Sequence, residues 1–215
     1  MEEEKVSPIE VKKYFLLANA GKRLFASLKN KQKLEEKYQR IRDEIFDLDG
    51  ERLDLRITDK VRLTRYDSFD WYKCYRALSD VGVWPKMCSL DARLTTGNVL
   101  ETAKMIKEDR KGKVVLHYDD AREMKKRTNA FKKFLGKSES IKKNLGFIYD
   151  RFPIILFPGG EIRGEYNSWA GENNSPLCRI FGNDLDDGNA RAVSYALEGI
   201  NEAPCFVGFR KNLSQ

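Results

Sequence analysis

His117, Asp119 and Asp120 fall within four consecutive residues, and Glu161 and Glu165 follow after a long basic stretch. Carboxylates at strand ends hold Mg²⁺ or Mn²⁺, and two such ions activate water and stabilise a leaving oxygen. This set defines one expectation: a metal-dependent nuclease or phosphodiesterase using Asp119, Asp120 and Glu161, with His117 beside them and Mg or Mn as its cofactor. Arg163 stands two residues after Glu161, where such nucleases often carry lysine. The competing reading makes Asp119 or Asp120 a helix cap and Glu161 an edge charge, with no cofactor, and it is the favoured one.

Other catalytic chemistries find little footing. No Gly-x-Ser-x-Gly elbow is present, no Gly-x-x-x-x-Gly-Lys-Ser/Thr loop and no Gly-x-Gly-x-x-Gly, which disfavours serine hydrolases, ATPases and Rossmann dehydrogenases. Cys74, Cys88, Cys178 and Cys205 lack paired zinc spacing and read as buried free thiols. Asn183 to Gly188 is similar to a calcium loop, but Leu185 and Ser194 stand at two positions that need ligand oxygens. A turn and helix cap is the better reading of that stretch.

The second chemistry is electrostatic. Forty basic against thirty-three acidic residues leave a net charge of +7. That excess favours polyanions such as nucleic acid. The candidate phosphate contacts are Arg52, Arg56, Arg62 and Arg65 on a predicted hairpin, then Arg122, Lys125, Lys126, Lys132, Lys133, Lys142 and Lys143 on predicted helical faces. Trp71-Tyr72-Lys73-Cys74-Tyr75-Arg76 interleaves aromatic and basic side chains, as single-strand binders do. At helical spacing the same aromatics are core, and that reading stands ahead. The bland account of every one of these stretches is a solvated basic surface.

The functional expectation is sequence-tolerant nucleic-acid binding, of RNA or single strands, with the metal-dependent phosphodiesterase as the alternative. Assembly into a nucleoprotein or viral particle is the third class, with homo-oligomer contacts made through the N-terminal helices. The acidic start Met-Glu-Glu-Glu-Lys lacks the order of a signal peptide, and no apolar run approaches the roughly 20 residues that cross a bilayer. A cytoplasmic protein without membrane contact is expected.

These groups need elements to hold them. Ser7-Pro8-Ile9-Glu10 has a capping serine, a proline at the first helical position and glutamate three after the serine, so a helix starts there. Its apolar face runs from Val11 through Phe15 and Leu17 to Leu28. Lys31 to Leu48 is a second helix with Leu34, Tyr38, Ile41, Ile45 and Leu48 at three/four spacing. Leu53, Leu55 and Ile57, then Val61 and Leu63, alternate with polar residues and predict a β-hairpin turning near Asp59. Asp67 or Ser68 would cap a helix through Trp71, Tyr75 and Leu78, and Thr95 or Thr96 another from Asn98 to Arg110.

Val114 to Leu116 reads as a buried strand, followed by helices over 121–135 and 138–149. Ile154 to Phe157 is a second buried strand, Pro158-Gly159-Gly160 a turn and Glu161 to Tyr166 its returning partner. The stretch Phe152 to Tyr166 resembles the closing half of a thioredoxin-type domain, in which a proline precedes a strand and a hairpin follows. The chain has no Cys-x-x-Cys, so no activity is carried over from the resemblance. Asn167 to Ser175 reads as a loop, Leu177 to Phe181 as a strand, Ala190 to Ile200 as a helix and Pro204 to Phe209 as a last strand. The expected fold class is α/β (α+β), with an N-terminal helical hairpin (residues 1–49) and a body of mixed sheet covered by helices (residues 50–215), the alternative being one continuous domain.

Overall fold

The computed structural model describes residues 3–24, 31–84, 97–109, 135–173 and 177–211. In chain order the elements are β1 (Glu4–Val6), α1 (Pro8–Leu24), α2 (Lys31–Phe46), α3 (Gly50–Arg56), α4 (Lys60–Asp67), β2 (Phe69–Ala77) and β3 (Val81–Gly82). They continue with α5 (Val99–Asp109), α6 (residues 135–143), α7 (Leu145–Ile148), β4 (Ile154–Pro158), α8 (Arg163–Glu172), β5 (Asn183–Asp187), α9 (Asn189–Leu197) and β6 (Glu202–Arg210). The fold is α/β, as expected.

The strands form one mixed sheet in the order β1-β2-β6-β4-β5-β3. β2 and β6 are antiparallel over nine residues each, from Phe69 opposite Arg210 to Ala77 opposite Glu202. β4 runs parallel to β6 and antiparallel to β5. Successive side chains of a strand point to opposite faces, and both faces of β4 are covered. Ile154 and Leu156 pack with Val99, Ile106, Ala192 and Val193 of α5 and α9. Ile155 and Phe157 pack with Val11 and Phe15 of α1, and with Tyr66 and Trp71. A strand buried on both sides has no polar face, and this is why its sequence is an unbroken apolar run.

Ser7 Oγ accepts from the Glu10 N–H at 3.2 Å and starts α1 as its sequence predicts. On the apolar face of α1, Val11 and Leu17 are fully buried within the chain and Phe15 nearly so. Tyr14 meets Phe46 of α2 edge-on at 5.4 Å, closing the α1–α2 hairpin. Tyr38 of α2 makes the same kind of contact with Phe147 and Phe152, just ahead of β4.

Several expectations are corrected. The stretch 50–67 is two short helices, not a β-hairpin. Leu53 and Ile57 are buried, whereas Leu55 is 79% exposed; burial four residues apart is helical spacing. Asp49 and Asp59 accept from the Arg52 and Arg62 N–H groups and cap the two helices.

Residues 69–77 are a strand, not a helix, because the nine-residue ladder with β6 satisfies both its backbone and its aromatics. Phe69 and Trp71 share one face of that strand, with Cys74 on the other. Glu161 to Tyr166 does not return as a strand. The turn after β4 leads into α8, which also takes up most of the loop expected at Asn167 to Ser175 and departs from the thioredoxin-type hairpin.

Asn183 to Asp187 is buried strand β5, not a turn, and Leu177 to Phe181 ahead of it carries no strand. Gly188 follows at φ 104°, a backbone region that favours glycine, and an added Cβ would lie 2.6 Å from Ile154 Cγ2. Helix α5 is capped by Asn98, which exchanges two hydrogen bonds with Glu101. The expected strand at Val114 to Leu116 and the helix over 121–134 lie outside the described residues.

Candidate functional site

Among the described residues, strand β5 collects the densest group of buried ionisable side chains. Asp184, Asp186 and Asp187 are each at most 8% exposed, and every one of them is held by a different partner. Charges buried this deeply persist only when paired and hydrogen-bonded.

Asp186 is clamped from α4. Arg62 Nε donates to its Oδ2 at 2.9 Å and Arg62 Nη2 to its Oδ1 at 3.1 Å, a two-pronged pair. Tyr66 Oη donates to the same Oδ2 at 2.6 Å. Burial raises the Asp186 carboxyl above the ordinary range against the lowering effect of Arg62. Burial, then the carboxylate, pushes the Tyr66 hydroxyl well above its own.

Asp187 accepts from Arg191 Nη2 at 2.6 Å, and Arg191 Nη1 donates to the Phe152 carbonyl at 2.8 Å. Asp184 Oδ2 accepts from the backbone N–H groups of Gly160, Ile162 and Arg163 at 2.7 to 3.0 Å. The free donors at the start of α8 are thereby satisfied from a different strand.

Arg163, wholly buried, completes the group. Its Nε, Nη1 and Nη2 donate to the carbonyls of Arg179, Val83 and Gly97, each at 3.0 Å. Burial lowers its pKa from the usual arginine value. The chemistry available here is positional: apart from Asp184 Oδ1, which is buried without a hydrogen-bond partner among the described residues, the charged groups are paired or hydrogen-bonded, and they fasten α4, α8 and the segments beside β3 to one strand.

The residues expected to carry chemistry are distributed differently. Glu161, at the turn after β4, pairs with Arg210 at 2.9 Å and lies 4.0 Å from Arg65. Glu165 pairs with Arg65 at 2.8 Å. Among the described residues no group of three or more histidines, cysteines or acids is placed to hold a metal ion. His117, Asp119 and Asp120 lie outside the described residues, as do Arg122, Lys125, Lys126, Lys132 and Lys133.

Of the other basic candidates, Arg62 and Arg65 sit on α4 and face acids rather than solvent-borne phosphates. Arg52 and Arg56 are exposed on α3, and Arg52 lies 3.5 Å from Asp49. Lys142 pairs with Glu198 at 3.0 Å, and Lys143 is exposed. The arginine-lined sheet surface expected between residues 52 and 65 is therefore not formed.

The interleaved run at 71–76 splits across β2. Trp71 is fully buried, its indole N–H donating to the Tyr66 carbonyl at 2.8 Å. Tyr72 instead meets Phe209 of β6 at 5.7 Å beside a shallow cleft that also touches Glu3, Asp70, Arg210 and Lys211. The sequence reading missed Asp184, Asp186 and Asp187 as core residues and Arg163 and Arg191 as their buried companions. The Asp187–Arg191 pair, four apart at a helix start, is the one contact with a local signal.

Among the described residues no helix is long and apolar enough to cross a membrane. Comparison of the chain with protein-family models, with curated proteins and with solved structures finds no match.

Proposed function

We propose that the protein binds nucleic acid, RNA or single strands, through sequence-tolerant phosphate contacts concentrated between residues 110 and 134. The observation that carries this reading is where the charge lies. Across the described residues 28 lysines and arginines stand against 28 aspartates and glutamates, whereas residues 110–134 alone hold nine basic and three acidic side chains. Six of the seven excess positive charges therefore fall in one segment, next in sequence to α5 and α6. A local block of cations neutralises several phosphates at once and releases their counterions, which a scattered excess does not.

The test is binding to labelled single-stranded RNA and duplex DNA across a salt series, with and without Mn²⁺, followed by a gel of the nucleic acid. Expected is affinity that falls steeply with salt, with the strand intact. Changing Lys125, Lys126, Lys132 and Lys133 together to glutamate should abolish binding at moderate salt and leave the circular dichroism unchanged. Unchanged affinity of that variant at low salt overturns the reading. Cleavage that requires Mn²⁺ would replace it with the phosphodiesterase built on Asp119, Asp120 and Glu161.

A further inference from the structure

Cys74 and Cys205 are direct cross-strand partners in the β2–β6 ladder. Directly opposed residues of an antiparallel pair have Cα atoms about 4.5 to 5.5 Å apart, inside the roughly 4.4 to 6.8 Å that a disulfide spans. Their sulfurs lie 3.7 Å apart, both thiols are free and both are buried. We propose that Cys74 and Cys205 are a reversible thiol modification site, a dithiol that closes to a cross-strand disulfide when a low-molecular-weight disulfide such as oxidised glutathione takes its two electrons.

The two sulfurs are not equivalent. The hydrogen bond with Cys205, and then Arg76, hold the Cys74 thiol below the ordinary range against the opposing effect of burial. The same hydrogen bond and burial push Cys205 far above it. Thiolate is the attacking species, so Cys74 is the first nucleophile. On β2 it stands one residue beyond Trp71, Tyr72 and Lys73, with which β1 pairs.

The steps balance. Cys74 Sγ attacks one sulfur of the small disulfide and expels a thiolate, leaving a mixed disulfide. Cys205 gives up its proton, attacks Cys74 Sγ and expels the second thiolate. The Cys74–Cys205 bond forms, the small disulfide is reduced to two thiols, and the two protons leave with them. The product joins residues 131 apart in sequence. Cross-linking a loop of that length restricts the unfolded chain and raises stability.

The experiment uses the full chain. It is incubated with oxidised glutathione, quenched in acid, alkylated under denaturing conditions and digested. Expected is loss of two of the four thiols, one peptide linking Cys74 to Cys205, and a thermal midpoint about 10 °C higher that dithiothreitol reverses. The C74A/C205A protein should show no shift. Full alkylation of both residues after treatment, or linkage through Cys88 or Cys178 instead, overturns the proposal. The peptide map of the unsubstituted protein decides the matter even where the variant does not fold.

Discussion

Tyr66 donates its hydroxyl to Asp186 across 2.6 Å, from a helix at residues 60–67 to a strand 120 positions later. The contact is closed on both sides, because Tyr66 is fully buried and Arg62 grips the same carboxylate. Asp186→Ala leaves the buried Tyr66 hydroxyl unpartnered and the partly buried Arg62 guanidinium, among the described residues, with only the exposed Asp59, 3.5 Å away, and its expected cost is about 3 kcal/mol or more. Tyr66→Phe removes one charge-assisted hydrogen bond, with an expected loss of about 1.5 to 3 kcal/mol. Urea unfolding of the two variants checks the ranking, and equal midpoints with the parent would show that the clamp carries no stability.

Arg163 binds three carbonyls that come from three separate segments. Lysine carries one compact ammonium and cannot reproduce the planar fork. Arg163→Lys and Arg163→Ala should therefore both destabilise, the alanine variant by about 3 kcal/mol or more, since it orphans buried acceptors and opens a cavity. Hydrogen exchange should show the loss first in β3 and in the start of α8. Uniform loosening across the sheet instead would refute a local role.

Asp184 makes stability depend on pH in a stated direction. Burial is the largest influence and raises its pKa, against the three N–H groups and Arg163 that lower it. The folded state therefore holds the proton more tightly than the unfolded chain. Its contribution is largest below the unfolded value, about 3.9, and is lost as pH rises through the higher folded value. Asp184→Asn keeps an acceptor for the start of α8 and removes the titration. Unfolding free energies from pH 3.5 to 7 should show the variant gaining on the parent as pH rises; a constant difference would mean that Asp184 does not titrate there.

Arg52 and Arg56 test surface charge against structural charge. Both are exposed on α3, so Arg52→Glu with Arg56→Glu should move stability by no more than about 0.5 kcal/mol. Arg62→Glu sets a carboxylate against Asp186 and should cost about 3 kcal/mol or more. Matching unfolding midpoints for the double variant and Arg62→Glu would contradict the buried pairing.

Local signals in the sequence determined much of the fold. Ser7-Pro8 with Glu10 fixes the start of α1 because the cap is made within three residues. The run Ile154 to Phe157 declares a strand covered on both faces, and the three/four spacing of Leu34, Tyr38 and Ile45 declares α2. The α/β class follows from such elements.

Only the tertiary structure decided the rest, and the reason is the same at each place. Asp184 and Asp186 resemble turn residues until Arg62, Tyr66 and the start of α8 arrive from elsewhere in the chain to satisfy them. Leu53, Leu55 and Ile57 fit an alternating strand as well as a helix until the core accepts Leu53 and Ile57 and leaves Leu55 in solvent. Trp71 and Cys74 are consistent with a helix until β6 pairs with them over nine residues. Partners distant in sequence supply the free energy that overrides local preference, and their identity is settled only when the chain has folded.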